Sequence, residues 1–216
     1  MKRLIFIIFV TIINLFSSNL LAQHITDTVF LLKERSDSHA HTIFIEPNKN
    51  LKNYKSINNF NSFPKTSNKN KIVYKNLPSQ WIPLYSLKGN YYVYLPCDFS
   101  NNQKTGLYKQ KFFFEDFELY SYNINSFKKY NDRYIINYNG FENEITKLEI
   151  DIIDKKRGIA VFKYTRNKNE IYFKLMIDSK NAQLFPLIVN DCGYSKTKEY
   201  EFDVLNYEKM FKASLN

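Results

Sequence analysis

The stretch IDIIDKKRGIAVFKYTRNKNEIYFKLMID, residues 150–178, alternates apolar and polar side chains and is interrupted twice by clusters of charge. Leu148, Ile150 and Ile152 share one face of a strand, and Glu149 and Asp151 share the other. DKKRG then turns the chain. In the next run Ile159 and Val161 oppose Ala160, Phe162 and Tyr164, so both faces carry apolar atoms. RNKNE turns the chain back, and Ile171, Phe173, Leu175 and Ile177 face away from Lys174 and Asp178. Period-two alternation between short polar turns is the pattern of an antiparallel meander with one buried face.

Outward from this stretch the same reading predicts strands over 90–96, 108–115, 117–124, 132–139, 144–153, 158–165, 170–178 and 198–205. The run LFPLIVN, 184–190, is a ninth candidate, confined to an edge or a bulge by Pro186. CDFSNNQKTG reads as a long loop. LPSQWIPLYSLKG, with Trp81 between Pro78 and Pro83, reads as an irregular or single-turn helical approach. No strand–helix–strand alternation interrupts the series, which excludes a parallel sheet as the expectation. The fold class is therefore all-β, an antiparallel up-and-down meander of about eight strands. Long exposed edges invite aggregation, and closure into a barrel removes them; a curled sheet or a sandwich does so less completely. An eight-stranded barrel is either filled by side chains or holds one small ligand. A short C-terminal helix is expected over 206–215, with Tyr207, Met210, Phe211 and Leu215 on one stripe.

The N-terminus has a different character. Met1-Lys2-Arg3 precedes an apolar run from Leu4 to Phe16, broken only by Thr11 and Asn14, and Leu20-Leu21-Ala22 follows. These are the parts of a cleaved signal peptide over 1–22, and the run is shorter than the roughly 20 residues a spanning helix needs. No cysteine follows it to carry a lipid. The expected product is secreted or periplasmic, not a lipoprotein, and begins near Gln23. DTVFLLKE and AHTIFIEP, separated by RSDSH, read as a hairpin arm over 23–46. Such a hairpin is barely stable alone and must dock on something. An Asn/Lys/Ser-rich linker over 47–71 leads into the β domain, 72–216; the spacing of Tyr54, Ile57, Phe60 and Phe63 offers anchoring contacts as the alternative to a loose crossing.

Lysine and arginine total 31 against 21 acidic residues, a formal charge of +10, which falls to +8 without Lys2 and Arg3. The basic residues are scattered and form no long block, so nucleic acid is not an expected partner. Cys97 and Cys192 are the only cysteines. In an oxidising compartment the pair suggests a disulfide, worth about 4–5 kcal/mol for a loop of that length; two buried thiols are the alternative, because spacing alone does not establish bridging geometry.

No catalytic signature is present: no Gly-x-Ser-x-Gly, no Gly-rich phosphate loop and no His-Glu-x-x-His. His24, His39 and His41 all lie in the arm, and the His39/His41 pair falls short of the three or four ligands a metal site requires. The carboxylate pairs Glu115/Asp116, Glu142/Glu144 and Glu149/Asp151 are the spacing of solvated faces and turns before they are that of a glycosidase. The reading is non-enzymatic, with no cofactor and no metal. Aromatic rings crowd the first strands, and rings with a polar tip suit small-molecule sites. Trp81, Tyr92 and Tyr94 are the candidate ligand-binding residues, at the mouth of a cavity.

A single tryptophan in an approach segment, a glycine leading into a strand (WIPLYSLKGNYYVYLP), an eight-strand meander and a closing helix resemble a lipocalin-type, or calycin-type, barrel. The resemblance covers residues 80–216 and is architectural. The family's Gly-x-Trp signature is absent, since Trp81 precedes Gly89 by eight residues. It implies an exported protein holding a small apolar or amphipathic ligand. Two other readings stand beside it: a cell-envelope structural or interaction module with a filled core, and an eight-stranded outer-membrane barrel. Lys163 and Lys174 within strands, and the soluble-looking arm, count against stable membrane insertion.

Overall fold

A computed structural model describes residues 28–35, 40–60, 62–64, 76–98, 103–166, 170–193 and 198–213. The signal-peptide reading, His24, His39 and Leu215 lie outside these residues. Among the described residues thirteen strands form two sheets. The first is a closed barrel of β3 (Gln80–Pro83), β6 (Lys104–Tyr108), β7 (Lys111–Glu115), β8 (Leu119–Tyr130), β9 (Arg133–Asn139), β10 (Ile145–Asp154), β11 (Ile159–Arg166) and β12 (Glu170–Asp178), each antiparallel to its neighbours. The eight-strand antiparallel meander is thus present, and it closes. The second sheet has the order β1 (Val29–Arg35), β2 (Ala40–Glu46), β13 (Leu187–Asp191), β5 (Asn90–Leu95), β4 (Tyr85–Leu87).

Strand membership differs from the sequence reading at four places. The run 90–96 leaves the barrel and pairs in parallel with β13. Its barrel position is taken by β3, in the segment expected to be irregular. Trp81 points into the barrel while Ile82 packs outside, so the proline-flanked run still has the alternation of a strand. Its ladder to β6 lasts only from Gln80 to Trp81, consistent with Pro83 having no N–H to extend it. The expected loop 97–106 ends in β6. Finally, 198–205 alternates correctly but forms no ladder. Phe202 lies across the face of the second sheet on Tyr85 and Tyr94, with Tyr200 against it, and the Asp203 amide donates to the Ser86 carbonyl of the edge strand β4 at 2.8 Å.

The hairpin arm docks through β2 on β13. Cys97 and Cys192, at the parallel ends of β5 and β13, form the disulfide with Cα atoms 5.7 Å apart. Among the described residues are two short α-helices, α1 (Lys52–Ile57) and the C-terminal α2 (Tyr207–Ala213). Asn206 caps α2, its side-chain oxygen accepting from the Lys209 amide at 2.9 Å. Tyr54, Ile57 and Phe63 are buried, so the anchoring spacing read in 47–71 makes real contacts. Phe63 lies so close over Gly106 that a Cβ there would sit 2.6 Å from its ring.

The core has three parts. One fills the barrel. A second lies between the barrel's outer wall and the second sheet, joining Ile159, Val161, Leu175 and Ile177 to Val93, Leu187, Tyr54 and Phe211. The third is the far face of the second sheet, under residues 200–202. The β11–β12–β3 wall is therefore apolar on both sides. This corrects the facing of β12: Ile177 and Leu175 point outward to the second sheet, and the Lys174 face is the barrel interior.

Candidate functional site at the barrel mouth

Period-two alternation around the closed ladder sends Trp81, Leu107, Phe112, Ile150, Phe162 and Met176 inward, all buried. Leu77 closes one end, where the Trp81 indole N–H donates to the Pro78 carbonyl at 2.9 Å and the ring meets Phe162 edge-on at 5.1 Å. This end is packed solid. Toward the other end, the mouth, the rings become tyrosines. Tyr164 stacks on Tyr172 at 4.5 Å, and Tyr138 lies on Phe112 at 4.7 Å and beside Tyr122 at 5.5 Å.

Two cations share this layer. Lys174 projects inward from β12 with its ammonium 4.9 Å from the centre of Phe114 and 5.9 Å from those of Tyr164 and Tyr172; it donates to the Gln103 side-chain oxygen. Loss of hydration brings its pKa down to about 8, against the attraction of Asp116 and with the repulsion of Arg166. Arg166, at the end of β11, has its guanidinium 5.2 Å from the Tyr172 ring centre. Burial opposes its charge, but Tyr172, Tyr138 and Glu170 outweigh that and hold it charged. Burial also raises the tyrosine pKa values, so these phenols stay protonated and serve as hydroxyl donors. The Tyr164 hydroxyl has no hydrogen-bond partner although the residue is 1% exposed. An unsatisfied buried hydroxyl costs about 1–3 kcal/mol and calls for an explanation.

Above the tyrosines is a cleft of about 110 Å³ lined by Tyr122, Tyr138, Phe141, Glu142, Thr146 and Arg166, together with Gly140 and Glu144. Phe141 (71% exposed) lines this cleft, Phe117 (80%) is exposed on the β7–β8 connection at the same end, and Ile145 (69%) and Ile171 (51%) are exposed on the outer faces of β10 and β12. A second cleft, about 280 Å³, lies on the outer wall between Tyr130, Arg133, Glu149 and Asp151. There Arg133 already binds Asp151 at 2.8 Å and donates to the Phe211 carbonyl at 2.8 Å, so its charges are spent on tethering α2.

The three aromatic residues singled out from sequence are not brought together. Trp81 lies within the barrel near its closed end; Tyr92 and Tyr94 belong to the second sheet. Tyr94 donates to Glu199 and accepts at 3.0 Å from Asn190, whose side-chain oxygen is 2.7 Å from His41 Nε2. Glu199 also accepts from the Asp98 amide at 2.8 Å. This buried network ties the 198–205 segment beside the disulfide. His41 is part of it, and no group of metal-ligating side chains occurs among the described residues.

No protein-family model matches this chain, and no curated protein or solved structure is significantly similar to it.

Sequence reasoning missed Tyr138, Tyr164, Arg166, Tyr172 and Lys174. Their signal was present as one alternating face, Tyr164/Arg166 on β11 and Tyr172/Lys174 on β12. On β11 both faces are apolar, and on β12 the opposite face is greasier, so alternation does not mark this face as enclosed. A charged residue facing inward is legible only once closure shows which side is enclosed.

Proposed function

We propose that this chain is an exported, non-enzymatic binding protein with a lipocalin-like barrel, and that it takes a small amphipathic ligand at the barrel mouth rather than in a deep cavity. One observation carries the reading: a cleft lined by Tyr122, Tyr138 and Arg166 opens at a barrel end whose connections expose Phe117 and Phe141 to solvent. Exposed apolar clusters with a polar centre mark binding sites, and leaving them bare contributes nothing to folding. The disulfide fits an oxidising compartment. No helix among the described residues is long and apolar enough to cross a membrane.

The barrel exterior supports an aqueous setting. Its apolar wall, at Ile177, Leu175 and Val161, is covered by the second sheet, and the open wall presents Ser121, Asn123, Asn125 and Lys128 rather than an apolar band. The filled-core interaction module remains the second reading, favoured by the solid packing around Trp81. Native mass spectrometry of the chain purified from its own cell separates the two. A co-purified small molecule that is lost in a Phe117→Ser/Phe141→Ser variant supports the binding reading; repeated recovery of the bare chain, or of a protein complex with nothing small bound, defeats it.

A further inference from the structure

Ligand chemistry at the mouth follows from what its walls offer. One side is rich in donors: the Arg166 guanidinium, which also senses Tyr172 and Tyr138, and the Tyr122 and Tyr138 phenols. In the adjoining barrel interior the Tyr164 hydroxyl has no partner and lies within electrostatic reach of Tyr138, Tyr172 and Arg166. The opposite side is acidic. The β9–β10 connection, Gly140 to Glu144, brings Glu142 and Glu144 to the same cleft beside the Phe141 ring. Donors and guanidinium favour an oxyanion; carboxylate beside an aromatic face favours an ammonium. Both sets line one space of about 110 Å³, which is headgroup-sized and far smaller than the usual pocket for a whole drug-like ligand. Arg166 sits over Tyr172 and feels Glu170 as well, so its placement does not depend on the Glu142 carboxylate.

We propose that the mouth binds the head of a small zwitterion, its oxyanion held by Arg166 and the tyrosine hydroxyls and its ammonium by Glu142, with the apolar remainder lying on the Phe117–Phe141 rim. This rests on the mouth being the binding site. A ligand of one sign would leave one wall facing an uncompensated charge of its own kind. The zwitterion satisfies both walls and gives the Tyr164 hydroxyl an acceptor. Two sources share this chemistry, a free apolar amino acid and a zwitterionic lipid headgroup.

The disulfide-intact chain is titrated with L-leucine, L-leucinamide, 4-methylpentanoate, 4-methylpentanol and glycerophosphoethanolamine, following tyrosine ring resonances by NMR and heat by calorimetry. Leucine or glycerophosphoethanolamine is expected to bind about tenfold or more tightly than leucinamide, methylpentanoate and methylpentanol, each of which loses one or both charges. The better of the two zwitterions identifies the source. Arg166→Gln should weaken the zwitterion and methylpentanoate while leaving leucinamide unchanged; Glu142→Gln should weaken the zwitterion and leucinamide while leaving methylpentanoate unchanged. Tyr164→Phe, which removes only the buried hydroxyl, should weaken the zwitterion without lowering the melting temperature. Equal binding of leucine and methylpentanol at the mouth would overturn the zwitterion and leave the binding reading standing. Ring shifts unaffected by either charge variant would overturn it too, as would silence of all five titrants; in that last case the co-purification experiment decides the binding reading separately.

Discussion

At the closed end of the barrel the turns β6–β7, β8–β9 and β10–β11 present Lys109, Gln110, Asn131, Lys155 and Lys156 to water; at the mouth the β7–β8 and β9–β10 connections present Phe117, Glu118, Phe141 and Glu142. The same antiparallel ladder supplies both ends. Inside the closed end are Leu77, Trp81 and Phe162, buried and apolar; inside the mouth are four tyrosines, Arg166 and Lys174. Tyr130 and Leu184 are exposed at the closed end, but singly, without a cleft of tyrosines behind them. The closed end puts greasy groups in and charge out, as folding requires. The mouth inverts that order, and the inversion costs stability through the buried cation and the orphan hydroxyl. A region that departs from the pattern its own fold obeys elsewhere is where function is to be sought.

The comparison can be broken or sharpened by stability measurements in urea. Trp81→Ala at the closed end should lose the most, about 3–5 kcal/mol, since it opens a cavity in a packed interior. A loss below 1 kcal/mol would mean that this end is not packed as described. Replacing both Cys97 and Cys192 by Ala should cost about 2–5 kcal/mol, the upper end being the loop-closure entropy of so long a loop. Because the bridge lies in the second sheet, hydrogen exchange should rise first in β5 and β13 and leave the mouth unchanged.

Lys174→Met is expected to act in the opposite direction, raising stability by about 1–2 kcal/mol at neutral pH, because it removes a partly buried cation whose hydrogen bond goes to a neutral side chain. The pH dependence has a definite sign. The folded pKa is lowered to about 8 from 10.5, so between these values the unfolded chain binds more protons and stability rises with pH. The advantage of the variant should therefore be full below pH 8 and shrink above it. An advantage independent of pH would place the Lys174 ammonium in water. The smallest effect is predicted at the rim: Phe117→Ser and Phe141→Ser should each change stability by no more than about 0.5 kcal/mol. A loss as large as that of Trp81→Ala would show the rim to be part of the core and remove the contrast.

Residues 150–178 illustrate how far pattern carries. Three strands, their turns and their antiparallel sense follow from alternation, and β10, β11 and β12 form where the period predicts. The cysteine pair was legible from compartment chemistry and the C-terminal helix from its stripe. Trp81 was legible as important but not as a closed-end residue. Tyr92 and Tyr94 were separated from it because β5 swings away after Pro83 to pair with β13, whose partner residues lie 94 positions further along the chain.

What the sequence determined by itself is local: which segments extend, where they turn, and that neighbours along the chain lie side by side. Those features depend on period-two burial and turn chemistry within a few residues. Tertiary structure alone decided which face is inside. In β12 both faces are buried, one by the barrel and one by the second sheet, so alternation is satisfied either way round. Only closure of the ladder, with β3 as the short strand that completes it, encloses Lys174 and Tyr164 together and assembles the mouth from residues spread over 40 positions and more of chain, from Tyr122 to Arg166.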